Sequence, residues 1–102
     1  MARAPLVVAV VSRAAPHAKI PEWEQLLSSG AAAMNLMIAA NALGFGASWL
    51  TEWYAYDSNV LTALGLSPTE KIAGFVHIGT ADTLPADRER PALSAVVRRY
   101  EG

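Results

Sequence analysis

Cysteine is absent, histidine occurs only at His17 and His77, and no basic run is longer than Arg98-Arg99. Without cysteine there is no disulfide scaffold, no thiolate zinc site and no iron–sulfur cluster, and two histidines are too few for an all-histidine metal site. Charge is scarce as well. Only 17% of residues are charged and the formal net charge is −1. Nucleic-acid binders draw their affinity from neutralising phosphates, so no nucleic-acid partner is expected. The opening apolar run at 6–11 is too short for a signal-peptide core, and no export signal is read. A cytoplasmic location is the corresponding expectation. Residues 25–51 carry no charge, and 31–50 is long enough to span a bilayer as one helix. That stretch contains Asn35, Asn41, Gly44, Gly46 and Ser48, is rich in alanine and lacks basic flanks, so no membrane partner is expected either.

What the chain does have is apolar content, at 53% of 102 residues. That suffices for one domain. A chain of this size buries only about 60–70% of its unfolded surface, so its core must be efficient or shared with another chain. The run at 6–11, dominated by valine and without alternation, reads as a central strand buried on both faces. Residues 12–19 form a loop. Pro21 opens a helix whose first turn carries Glu22 and Glu24, favourably placed at the positive end of its dipole. The helix continues to Leu43 and stops at Gly44.

This helix would be about 35 Å long, and its second half is apolar nearly all the way round. The remaining elements, two strands and two short helices, cannot cover it together with a buried sheet. The helix is therefore expected to pack against a second subunit or a part of the protein outside this chain. Asp57-Ser58-Asn59 caps a short helix at 60–64, closed by Gly65. A second strand is expected over Lys71–Gly79. Residues 80–90 form a polar loop, and Pro91 opens a last helix with Leu93, Val96 and Val97 on one face.

Chemistry is thinly marked. His77 alternates with Val76 and Ile78 and reads as structural. No G-x-S-x-G elbow frames a serine, and Gly44-x-Gly46 follows a helix and lacks the third glycine of a dinucleotide fingerprint. Two segments carry a bland and a functional reading side by side. Trp49, Trp53, Tyr54 and Tyr56 either fill a core or interface, or form a wall for a flat apolar ligand. Arg88-Glu89-Arg90 is either solvated surface or a pair of forked donors for one phosphate.

The order of the pieces adds to this reading. Ala4-Pro5-Leu6-Val7-Val8 opens a strand, and Ser29-Gly30-Ala31-Ala32-Ala33-Met34-Asn35-Leu36 lies in the helix. Then come Leu43-Gly44-Phe45-Gly46-Ala47-Ser48-Trp49-Leu50-Thr51, Lys71-Ile72-Ala73-Gly74-Phe75-Val76-His77-Ile78-Gly79-Thr80 and Arg88-x-Arg90-Pro91-x-Leu93. Together they resemble the C-terminal half of the nitroreductase family of FMN-dependent oxidoreductases, over almost the whole chain. The resemblance implies an α+β, nitroreductase-like partial fold: a sheet with a long buried central helix. Residues 1–102 would form a single domain corresponding to the C-terminal half of a typical member, with the N-terminal half absent.

It further implies a homodimer that binds FMN, uses NAD(P)H as co-substrate and passes hydride through the flavin to nitroaromatics, quinones or related small-molecule acceptors. The chemistry is carried by the flavin, so no catalytic side chain is expected. By position, Trp49, Leu50, Thr51 and Glu52 would lie beside the isoalloxazine, with backbone N–H groups near Thr51 and Glu52 donating to the ring. Arg88 and Arg90 match the basic pair that contacts the FMN phosphate. The sequence departs from the family in having Glu52 where members often have glycine. Two other readings stand beside this one: a non-catalytic dimerisation module that no longer binds flavin, and an aromatic-ligand binder using Trp49 and Trp53.

Overall fold

The computed structural model describes residues 5–80 and 87–100. Among these, strand β1 (Leu6–Ser12) leads to helix α1 (Glu22–Ala42), strand β2 (Gly46–Leu50) and one turn of 3-10 helix at Trp53–Ala55. Helix α2 (Ser58–Ala63), strand β3 (Lys71–Gly79) and the single-turn helix α3 (Leu93–Val96) follow. The three strands form one antiparallel sheet in the order β1-β3-β2.

This order corrects the expectation for β1, which lies at an edge of the sheet while β3 occupies its centre. Val7 to Val11 are half-buried rather than buried, and an unbroken valine run reports at most that both faces of a strand are covered. It carries no information on whether both hydrogen-bonding edges are paired. β2 is a third strand beyond the two expected from sequence. Its first residues, Gly46, Ala47 and Ser48, have little β propensity, and pairing with β3 rather than intrinsic preference makes them extended.

The sheet separates two layers. Val7, Ala9 and Val11 of β1 pack with Ile72 and Phe75 of β3 against Tyr54, Ala55, Val60, Leu61 and Leu66, which come from the 3-10 turn and the α2 region. The alternate residues face α1, where Trp49 reaches Gly30 at 3.6 Å from the position a Cβ would take. Val10 pairs with Gly74 and Val11 with Ile72, leaving Ala73 as the extra residue of a bulge. The bulge brings Ile72 and Phe75 to the same face despite their spacing of three.

α1 begins after Pro21 with Glu22 and Glu24 in its first turn, as expected. It ends in a paired-carbonyl cap: the Phe45 N–H donates to the Ala40 carbonyl at 2.9 Å and the Gly44 N–H to the Asn41 carbonyl at 3.0 Å. Gly44 has φ 92°, which only glycine adopts without cost. α2 is capped by Asp57, whose carboxylate accepts from the N–H groups of Asn59 and Val60. The loop before α1 is tied to the helix by Gln25. Its side chain accepts from the Ala15 N–H and donates to the carbonyls of Ala15 and Ile20.

This chain alone does not bury α1. Within it only Ala33 and Ala40 are buried, while Trp23, Leu26, Leu27, Met34 and Ile38 are exposed. The radius of gyration is 16.7 Å, against about 13 Å for a compact chain of this length. The accessible surface is 8257 Å², against about 5,500 Å² for a folded monomer of this mass. The length of the helix is as expected, and its apolar surface exceeds what these elements can cover. The last helix falls short of expectation. It is one turn, capped by Ala92 rather than opened by Pro91, and Leu93, Val96 and Val97 are all exposed.

His77 is buried at 6% exposure. Neither ring nitrogen has a hydrogen-bond partner among the described residues. A buried polar atom left unpaired costs about 1–3 kcal/mol, so this position is not satisfied by the elements around it.

Candidate functional site

The connection from β2 to the 3-10 turn is held by contacts on both sides. β2 ends at Leu50, opposite Phe75. Just before it, the Trp49 indole lies on Gly74, and its N–H donates to the carbonyl of the bulge residue Ala73 at 3.2 Å. A Cβ on Gly74 would overlap that ring, so glycine here is required by the close approach of an indole. Gly74 and Phe75 are absent from the site residues expected on sequence grounds. A glycine inside a strand pattern is the signal that points to Gly74.

After Leu50 the chain turns through Thr51 and Glu52, both half-buried. Glu52 has φ 36° and ψ 175° and is the only non-glycine residue with positive φ among those described. For a residue with a Cβ such a conformation costs about 1–3 kcal/mol and persists only where the surroundings impose it. They do so here. Two residues on, the buried Tyr54 ring meets Phe75 edge to face with centroids 4.9 Å apart. Ala55, also buried, donates its N–H to the Glu52 carbonyl at 3.2 Å.

Of the residues expected to hold a cofactor, the fold thus brings Trp49, Leu50, Thr51 and Glu52 together at one end of β2. The Trp49 indole is committed to the protein, packed on the α1 side of the sheet, whereas Trp53 is 70% exposed at the 3-10 turn. The two tryptophans form no common wall. Arg88 and Arg90 belong to the segment from 87 to 100, outside β2 and the turn that follows it. Every residue from 87 to 100 is exposed, and α3 packs on no other element among those described. Arg90 pairs with Asp87 at 3.2 Å, an exposed contact that leaves its guanidinium open to an anion.

At the same end of the sheet, on the α1 side, a cavity of about 270 Å³ is lined by Ser12, Glu22, Trp23, Leu26, Thr69 and Lys71. Nearby, Glu70 accepts from the Ser67 N–H at 2.7 Å, and this amide bond holds its carboxyl below the ordinary carboxylate range. Partial desolvation opposes the effect, and the Ser67 hydroxyl and the Arg13 guanidinium, 3.6 Å away, add to it. No group of three or more His, Asp or Glu among the described residues is placed to hold a metal ion. No helix there is long and apolar enough to cross a membrane.

The fold is shared with known proteins. A crystal structure of a nitroreductase-like family protein from Bacillus cereus superposes with a TM-score of 0.82, covering 94% of this chain and 51% of that one at 24% identity. At that identity the likeness speaks for the fold, a nitroreductase-like α+β architecture present in part. Sequence takes the assignment further. Residues 1–80 match the nitroreductase family, and the chain belongs to it.

Among its relatives is the Escherichia coli (strain K12) protein named "Putative NAD(P)H nitroreductase YdjA", 40% identical over 78 residues. The match takes in 76% of this chain and 43% of that protein. A Haemophilus influenzae protein named as an NAD(P)H nitroreductase in the same terms is 38% identical over 79 residues, again 76% of this chain and 43% of the relative. The chain thus spans less than half the length of these relatives. The family match ends at residue 80, so Trp49, Leu50, Thr51 and Glu52 lie inside it and Arg88 and Arg90 outside.

Proposed function

We propose that this chain is part of an FMN-dependent oxidoreductase of the nitroreductase family, holding the ring edge of the flavin at Thr51 and Glu52. The observation that carries the reading is the glycine-type backbone at Glu52, at the position where the family resemblance sets the flavin. FMN, when bound, would supply the redox chemistry, taking hydride from NAD(P)H and passing electrons to a nitroaromatic, quinone or related acceptor. The chain's own part is to bind and orient. Backbone N–H groups at Thr51 and Glu52 would donate to the ring edge, and the half-buried Leu50 would keep water from one side. Arg88 and Arg90 offer forked donors to the phosphate from an exposed segment. No side-chain acid or base is needed for these tasks.

The same reading makes the protein a cytoplasmic homodimer in which α1 packs across the interface. The excess of exposed surface over that of a compact monomer supports this, as do the exposed apolar residues of α1. The decisive experiment is a visible absorbance spectrum after addition of excess FMN and desalting, with sedimentation at micromolar concentration. Retained flavin bands together with NAD(P)H oxidation are expected, and the double variant Arg88→Ala/Arg90→Ala should retain less FMN. Undiminished colour in that variant would remove the phosphate assignment. A colourless dimer would favour the dimerisation-module reading, and a monomer with a cooperative melt would overturn the shared core.

A further inference from the structure

We infer that the cavity between the first turns of α1 and the ends of β1 and β3 binds a small aromatic zwitterion, a molecule of the kind and size of phenylalanine. None of the residues proposed to hold FMN lines this cavity, so the inference does not rest on the flavin reading.

Strand register sets its floor. Ser12 and Lys71 are paired at the end of the β1–β3 ladder, so their side chains leave the same face of the sheet with Cβ atoms about 5 Å apart. The preceding pair, Val11 and Ile72, belongs to the layer with Tyr54. Side chains alternate along a strand, so Ser12 and Lys71 turn toward α1. Glu22, Trp23 and Leu26 close the space from the helix, and Thr69 closes it from the turn before β3. Leu27, Met34 and Ile38, the exposed apolar residues left for an interface, line no part of it.

The lining asks for both signs of charge in one ligand. Ser12 is 4% exposed, yet its hydroxyl only accepts, from the Ala14 N–H at 3.3 Å, and donates to no acceptor among the described residues. A buried donor left without an acceptor calls for an oxygen in the cavity. Glu22 and Lys71 supply one charge of each sign. Neither has an ion-pair partner among the described residues, whereas the neighbouring Arg13 and Glu70 pair with each other at 3.6 Å. A purely anionic ligand would be repelled by Glu22 and a purely cationic one by Lys71. A molecule carrying a carboxylate and an ammonium satisfies both.

The remaining surface selects the ring. The Trp23 indole, 67% exposed, and Leu26 form an apolar wall against which an aromatic side chain can pack. At about 270 Å³ the cavity falls just below the roughly 300–1,000 Å³ of pockets for drug-sized ligands, which suits an amino acid. The carboxylate is assigned to Ser12, Thr69 and Lys71, the ammonium to Glu22, and the ring to Trp23 and Leu26.

The test uses the full 102-residue chain, without FMN. It titrates L-phenylalanine, 3-phenylpropionate, which lacks the ammonium, and phenethylamine, which lacks the carboxylate. Binding is read by calorimetry and by tryptophan emission excited where phenyl rings do not absorb. Phenylalanine should bind with a Kd of about 0.1–1 mM, and each analogue about tenfold more weakly. Glu22→Gln should weaken phenylalanine about tenfold and strengthen 3-phenylpropionate, while Lys71→Gln should weaken both of these and strengthen phenethylamine. Ser12→Ala should weaken only the two carboxylates, and Trp23→Ala all three ligands.

Glu22 and Lys71 are exposed, so their variants keep the fold and carry the decision even where Ser12→Ala lowers stability. Equal binding of the three ligands would reduce the cavity to an apolar surface and overturn the assignment. So would phenylalanine affinity unchanged in both Glu22→Gln and Lys71→Gln, or the absence of any saturable signal. Finally, FMN is added to the phenylalanine complex. Affinity unmoved by FMN is expected, and displacement by FMN would make the cavity part of the cofactor site and overturn its separate role.

Discussion

The two regions expected to grip one cofactor are built in opposite ways. Around Phe75, strand pairing, an indole lying on Gly74 and an edge-to-face tyrosine converge within a few residues, and the backbone between them is forced into a conformation its own sequence disfavours. From residue 87 to 100 nothing converges. Every side chain is exposed, and one helical turn packs on no other element among those described. The contrast is between a surface shaped by this chain's core and a segment that packs on none of the described elements. Preorganised donors bind without an ordering cost, whereas exposed arginines incur that cost at the moment of binding. Of the two proposed cofactor contacts, the turn at Thr51 and Glu52 is therefore the one shaped by the described core.

Substitutions at the contacts around Phe75 put that contrast under strain. The largest effect is expected from Phe75→Ala, which removes a large, fully buried side chain and both anchors of the turn at once. Its cost should be about 3–5 kcal/mol in urea unfolding, a large share of the stability of any small domain. Gly74→Ala comes next. The added methyl displaces the Trp49 indole, at about 1–3 kcal/mol, and FMN retention should fall with it. Retention unchanged in a folded Gly74→Ala protein would show that these contacts do not shape the turn.

Two smaller changes sharpen the comparison from outside that group of contacts. Asp57→Ala removes the cap of α2 and should cost about 1 kcal/mol in a thermal melt, without altering the spectrum of any bound flavin. Glu70→Ala should give the smallest shift. The Glu70 carboxyl is held below its ordinary value by the Ser67 amide, so its contribution is present above the ordinary carboxylate range and lost as pH falls through the lowered value. The melting difference between wild type and Glu70→Ala should accordingly be visible at neutral pH and vanish in acid. A difference that persists there would assign the effect to packing rather than to charge.

Local signals are legible in the sequence, and partnerships less so. The Asp57 cap, the stop at Gly44 and the bounds of β3 follow from short-range rules about carboxylate acceptors, positive φ and β-branched runs. β1 reads as central and buried yet lies at an edge with Val7 to Val11 half-buried, because a valine run carries no information on edge pairing. β2 escapes a sequence reading because its small residues are extended by their neighbour. For the proposed site, the family resemblance picks out Trp49, Leu50, Thr51, Glu52, Arg88 and Arg90. It does not pick out Gly74 and Phe75, which hold the turn at Thr51 and Glu52 in shape.

Composition and short-range pattern were enough for the inventory: a long apolar helix too large for its own chain to cover, a valine-rich strand, a capped short helix, and no cysteine. Each of these follows from residue counts, or from residues within a turn of one another. Only the tertiary structure decided which strand is central, and that Ala73 bulges so that Ile72 and Phe75 share a face. It alone placed Glu52 where glycine would be at ease. Those outcomes depend on contacts between residues about 20 or more positions apart, whose geometry is settled by packing and strand register rather than by local preference.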